Sequence, residues 1–174
     1  MSTAILEDVV EAMDRLTQRP EQSNWSDSDW TSQIKLQCLA IARIRKYKIF
    51  TSGLQGADSG EWLFDVCLAR WPTGQGLEEL ALVLESEWIQ KDWEIDNDFL
   101  KLVIARADSR AMIFQANTLE RAKDHFVRLR NLAESFPASR RGDQYLLSCW
   151  IAKTRKFEHK RFTIGSLICK YDSE

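Results

Sequence analysis

The chain has 174 residues, of which 44% are hydrophobic and 29% are charged, a composition typical of one globular domain. Its formal net charge of −2 argues against a protein that coats a polyanion through bulk charge. No CxxC pair, no basic leader and no apolar run of the roughly 18 residues that span a bilayer is present. We therefore expect a cytoplasmic protein that does not bind a membrane.

The first 52 residues predict two helices and a strand. Apolar residues at spacings of three and four predict an amphipathic helix over 3–17, and a turn-rich segment containing Pro20 follows it. A second helix is predicted from Thr31 to Tyr47, a segment that contains no aspartate or glutamate. A strand is predicted over residues 48–52.

Two apolar segments, 61–71 and 77–88, read as the next strands. The connections on either side of the first are rich in turn-forming residues, and short connections favour antiparallel neighbours. Three strands should therefore form a meander. Asn97 or Asp98 can then cap a helix that begins at Phe99 and ends near Asp108.

The C-terminal third predicts a strand, a helix and a hairpin. Residues 110–116 read as a buried strand, and Asn117 and Glu120 are spaced as a capping box for the helix that follows. Two further strands, 143–153 and 161–171, are expected to close the chain as a hairpin. We treat residues 1–174 as one domain, with an N-terminal helical extension (1–30), a core (31–116) and a helix plus C-terminal hairpin (117–174).

Polar residues interrupt the most apolar part of this pattern. Asp65 lies in the second predicted strand, Glu85 and Glu87 lie in the third, and Lys101 lies on the apolar helix that follows. Carboxylates rarely occupy buried strand positions unless they are paired or bind a metal. A turn near residues 73–76 would place Asp65 opposite Glu85, and Glu87 would project from the same strand face as Glu85.

The order of the elements and the position of these acids resemble the PD-(D/E)XK nuclease superfamily. The resemblance covers Thr31 to Ala116. It implies a restriction-endonuclease-like α/β (α+β) fold: an αβββαβ core, a mixed central sheet flanked by helices, and a C-terminal β-hairpin as an addition. It also implies metal-dependent cleavage of phosphodiester bonds, usually in DNA.

The same resemblance assigns a role to each polar residue. Asp65 and Glu85 would bind Mg²⁺ or Mn²⁺ through hard oxygen ligands. Glu87 stands where the family usually has a lysine, and it would add a ligand or hold a metal-bound water. Because some families of this fold move that lysine to a helix, Lys101 would orient the water or stabilise charge on the phosphate. Each acid could instead make only structural contacts.

A basic segment near the C-terminus is the expected contact for nucleic acid. Residues 138–161 hold seven bases against two acids. DNA is a more expected partner than RNA, although a solvated hairpin tip explains the charge equally well. The candidate contacts are Lys153, Arg155, Lys156, Lys160 and Arg161.

Two other interpretations remain open. The chain could be a catalytically inactive module of the same fold that binds nucleic acid or protein. It could also be an unrelated α/β interaction domain, in which case Asp65 and Glu85 would lie far apart. A homodimer is compatible with the nuclease interpretation, because cutting both strands of a duplex often uses two active sites and the amphipathic first helix could serve a dimer.

Overall fold

The computed structural model describes residues 3–165, which form a mixed six-stranded sheet with helices on both faces. The predicted α+β class is therefore correct. Within these residues no helix combines the length and the apolar character needed to cross a membrane. The helices are α1 (Thr3–Thr17), α2 (Asp27–Arg45), α3 (Asp92–Ile104) and α4 (Leu119–Ser135), with a short 3-10 helix at Pro20–Asn24. The strands are β1 (Lys48–Phe50), β2 (Val66–Arg70), β3 (Glu79–Glu87), β4 (Ser109–Ala116), β5 (Gln144–Ile151) and β6 (Lys156–Thr163).

Strands that are neighbours in sequence are also neighbours in the sheet, whose order is β1-β2-β3-β4-β5-β6. The first three pair antiparallel, which confirms the predicted meander. Helices α3 and α4 make the crossovers that keep β4 parallel to β3 and β5 parallel to β4. The predicted hairpin of β5 and β6 is also present, but β6 begins at Lys156, earlier than expected; residues 166–171 of its predicted strand lie outside the described residues.

The sheet is covered by apolar side chains on both faces. Leu82 and Leu84 of β3 pack with α1 and α2, while Val83 between them packs with α3 and α4. A strand buried on both faces explains why this segment is continuously apolar instead of alternating. The apolar stripe of α1, including Val9 and Met13, is fully buried against its own chain. This removes the reason for expecting α1 to serve a dimer.

Helices α2 and α3 begin earlier than predicted. Helix α2 starts at Asp27 because Ser26 and Asp29 form a capping box, in which the Ser26 hydroxyl accepts from the Asp29 N–H and the Asp29 carboxylate accepts from the Ser26 N–H. Helix α3 starts at Asp92 instead of Phe99. In both cases the polar residues of the first helical turns resemble a loop in the sequence, so the predicted first residue of the helix was too late.

An aromatic cluster fastens α2 to the carboxyl ends of the central strands. The ring centroid of Trp30 lies 5.3 Å from that of Trp88, which follows β3, and 4.8 Å from that of Trp150 in β5. The Trp88 indole N–H donates to the Thr31 hydroxyl at 3.1 Å. Close aromatic packing with a satisfied indole N–H holds this end of the sheet in a defined position.

The structure shows which of two adjacent residues, Asn117 or Thr118, caps the N-terminus of α4. The Thr118 hydroxyl accepts the backbone N–H of Arg121 at 3.3 Å, so Thr118, and not the predicted Asn117, is the N-cap. Thr118→Ala should lower the free energy of unfolding by about 1 kcal/mol, whereas Asn117→Ala should change it by less than about 0.5 kcal/mol. Urea unfolding of both variants measures the difference. A larger loss for Asn117→Ala would contradict this cap.

Candidate active site

The register between β2 and β3 brings two of the predicted acids together. Val66 pairs with Leu84, so Asp65, just before β2, adjoins Glu85 on β3. This is the register predicted from the hairpin turn, and it contradicts the interpretation in which Asp65 and Glu85 lie far apart. Asp65 Oδ2 accepts hydrogen bonds from the Ser86 backbone N–H at 2.9 Å and from the Ser86 hydroxyl at 2.7 Å. The Asp65 carboxylate is therefore fixed to the neighbouring strand.

Glu85 is buried at the centre of the site. Its exposed fraction is 4%, and its Oε1 atom accepts no hydrogen bond from the described residues. Lys101 Nζ lies 3.3 Å from this oxygen, which is an ion-pair distance. Burial, followed by the nearby charge of Asp65, raises the pKa of Glu85 to about 8, although Lys101 opposes the shift.

Lys101 reaches Glu85 from α3 and is held there by a residue that the sequence analysis did not assign to the site. Asp98 Oδ1 lies 2.6 Å from Lys101 Nζ, and the two residues are three positions apart on one helix face. Burial lowers the pKa of Lys101, but its contacts with Asp98 and Glu85 more than offset this, and the net shift is upward. Lys101 is therefore a fixed cation, with its side chain half exposed. In the sequence, the spacing of three residues between Asp98 and Lys101 could have predicted this ion pair on one helix face.

Glu87 lies one step further along the same strand face. It is partly buried, and its Oε1 accepts the backbone N–H of Ile89 at 2.6 Å, which stabilises the turn after β3. Burial is the main cause that raises the pKa of Glu87, and the charge of Asp98 contributes in the same direction. Glu85, Glu87 and Asp98 therefore share one electrostatic environment.

A second cation approaches from the other side of the sheet. Lys35 of α2 is buried, donates to the Ser52 hydroxyl at 3.1 Å and lies 3.7 Å from Glu61 Oε2. The neighbouring Thr51 hydroxyl donates to the Asp65 carbonyl oxygen at 2.6 Å, which ties this cluster to the acid. Sequence reasoning missed Lys35 because a lysine on a helix is more often solvated than buried.

The basic turn lies at the same edge of the sheet as these acids. Strands β3, β4 and β5 are parallel and their register sets Glu87 level with Phe114 and Cys149, so the turn after β5 lies beyond the same strand ends as Glu87. It is displaced by two strand spacings, about 10 Å, across the sheet and by about 13 Å along the strand direction. Lys153, Arg155 and Lys156 are exposed there. Lys160, by contrast, pairs with Leu147 inside the span of the strands, and Arg161 forms an ion pair with Glu7 at 3.1 Å.

Comparisons of the chain with models of protein families, with curated proteins and with solved structures found no match. Over residues 3–165, no three side chains of the types His, Cys, Asp and Glu lie close enough to one another to hold a metal ion. Asp65 and Glu85 lie at adjacent positions of neighbouring chain segments and their charges interact, with the half-exposed Lys101 beside Glu85.

The raised pKa of Glu85 should make stability depend on pH. Because the pKa is raised to about 8 in the folded protein, the folded state holds this proton more tightly than the unfolded state. The free energy of unfolding should therefore fall as pH rises from about 5 towards 8, by on the order of 3 kcal/mol, and Glu85→Gln should lack this fall. Urea unfolding in EDTA across this range measures it.

Glu11→Gln, which removes an exposed carboxylate from α1, is the control for the loss of one acid. If the pH profiles of the wild type and of Glu85→Gln run parallel, Glu85 is ionised in the folded protein and the burial argument is wrong.

Proposed function

We propose that this chain is a metal-dependent hydrolase of phosphodiester bonds in DNA, built on a restriction-endonuclease-like fold. The observation that carries the proposal is the position of Asp65, just before β2, next to Glu85 on β3, with Lys101 at 3.3 Å from Glu85. The antiparallel meander, followed by a helix and a parallel strand, is the order of elements that the family resemblance implies. Fold and site therefore support the same chemistry.

The donor atoms suit a hard divalent cation. Asp65 and Glu85 would hold Mg²⁺ or Mn²⁺. The expectation that Glu87 adds a third ligand is not supported, because no three such side chains among residues 3–165 lie close enough together, and Glu87 would instead accept a hydrogen bond from a metal-bound water. Mg²⁺ commonly uses only one or two protein carboxylates together with substrate phosphates, so a pair is sufficient. Glu85 Oε1, buried without a hydrogen-bond donor from the described residues, is an acceptor that a cation would satisfy. A bound cation would supply an acidified water and would neutralise charge on the phosphate.

The protein's own residues position the substrate. Asp98 holds the Lys101 ammonium beside Glu85, where a phosphate bound at the same place would meet a fixed positive charge. A charge fixed in advance stabilises the developing charge on phosphorus oxygens without reorganisation during the reaction. Lys153, Arg155 and Lys156 at the same sheet edge would contact phosphates further along the strand.

Specific contacts favour a second candidate, a module of this fold that binds without cleaving. Asp65 Oδ2 already accepts two hydrogen bonds from Ser86, and Glu87 Oε1 accepts one from Ile89. Helix α2 also carries Lys35 on its buried side, whereas the family usually places an acid on this helix. In this alternative the acids serve only to hold the ends of β2 and β3 through these hydrogen bonds, and only the lysine and arginine side chains bind the partner.

Metal titration and a cleavage assay separate the two candidates. The wild type should bind Mg²⁺ or Mn²⁺ in calorimetry and cleave plasmid or single-stranded DNA only when metal is present. Glu85→Gln should lose both properties, and Lys101→Met should reduce the cleavage rate by at least about 100-fold. Lys123→Met, an exposed position on α4, is the matched control.

DNA binding without metal binding or cleavage would support the inactive module instead. If neither metal nor nucleic acid binds to the wild type, both candidates fail.

The basic turn after β5 should contribute to DNA affinity through its positive charge alone. Replacing Lys153 and Lys156 together with alanine should weaken DNA binding for all sequences and reduce the salt dependence of affinity by about two phosphate contacts. Lys160→Ala should have a smaller effect, because Lys160 lies within the span of the strands. Fluorescence anisotropy at several salt concentrations measures both. Equal effects of the two changes would assign the binding surface to β6 as a whole.

A further inference from the structure

An apolar cavity of about 620 Å³ lies between the segment before β2 and the C-terminal end of α3. Several of its apolar side chains are far more exposed than is usual for their size, with Leu63 at 79%, Ile104 at 66%, Leu77 at 48% and Trp62 at 38%. Exposed apolar patches that are contiguous mark binding surfaces more often than isolated exposed residues do. These side chains are not packed into the core, so we infer that the cavity binds a ligand.

Lys101 lies between this cavity and the candidate active site. Its side chain lines the cavity, while its Nζ atom lies 3.3 Å from Glu85 Oε1. Arg106 also lines the cavity, so two cations and no acid accompany the apolar lining. A ligand that fits this lining combines a flat apolar group with a neighbouring anion, as a nucleotide does.

We propose that the cavity receives an unpaired nucleobase of the substrate strand, next to the phosphate bound at Lys101. This inference rests on the proposed function and adds a substrate class: single-stranded nucleic acid, or a nucleotide turned out of a duplex. A base inside a duplex is stacked and paired, so it cannot enter such a cavity without leaving the helix. Trp62 would provide the stacking surface, and Phe50, stacked on it at 4.0 Å between centroids, holds its ring in place.

The test compares single strands with duplexes of the same sequence, by fluorescence anisotropy in EDTA so that no cleavage occurs. The wild type should bind the single strand more tightly. Leu63→Glu and Ile104→Glu should each weaken single-strand binding roughly ten-fold, the size expected from the loss of one base stack, with little effect on duplex binding. Both positions are exposed, so the substitutions should not disturb folding.

Ile44→Glu on α2 and Val127→Glu on α4 are the matched controls, because they add the same charge at exposed apolar positions outside the cavity lining. Single strands with one abasic position, moved along the sequence, provide a second measurement. One abasic position should weaken binding to the wild type and have no additional effect in Leu63→Glu.

The outcomes separate this inference from the proposed function. If metal-dependent cleavage depends on Glu85 but the cavity variants bind like their controls, the function stands and the nucleobase inference is wrong. If the wild type binds neither single strands nor duplexes, the proposed function fails and the inference fails with it. If Leu63→Glu instead converts a dimer to a monomer in sedimentation, the cavity is a protein interface and the inference is overturned.

Discussion

The pairing of β3 with its two neighbours is the constraint on which the rest of the structure depends. Its register with β2 sets Val66 opposite Leu84 and thereby brings Asp65 beside Glu85. A slip of one residue would exchange the two faces of the strand, exposing Glu85 to α2 and burying Ser86 against α3. Because leucine and valine side chains of β3 fill the core on both faces, such a slip would disrupt both apolar layers at once.

The same burial determines the electrostatics of the site. Glu85 lies on a central strand that is shielded from water, so burial raises its pKa above that of a solvated glutamate. The charge of Asp65 raises it further. Lys101 compensates only in part, because it is half exposed and also paired with Asp98. The surplus of acids over Lys101 and the poorly satisfied buried oxygen of Glu85 are the physical basis on which a bound cation is proposed.

Prediction from the sequence succeeded for the order of elements and the register of the hairpin, and it failed at the N-terminal ends of α2, α3 and α4. The meander, the register of Asp65 with Glu85 and the boundaries of α1 followed from apolar patterns and turn residues. The start of α3 was placed seven residues too late, because the polar residues before Phe99 read as a cap although they form the first turns of the helix. The cap of α4 was wrong by one residue, since Asn117 and Thr118 have similar capping propensities.

The sequence by itself determined the element types and the unusual presence of acids in apolar strands, because both depend on residue type and spacing. Only the tertiary structure decided which charged side chains of the helices reach the pair of acids. Lys35 comes from α2, Asp98 and Lys101 come from α3, and they approach the acids from opposite faces of the sheet. Periodicity shows that a residue lies on a buried or an exposed face, but contacts between elements distant in sequence depend on how helices cross the sheet, which no local pattern encodes.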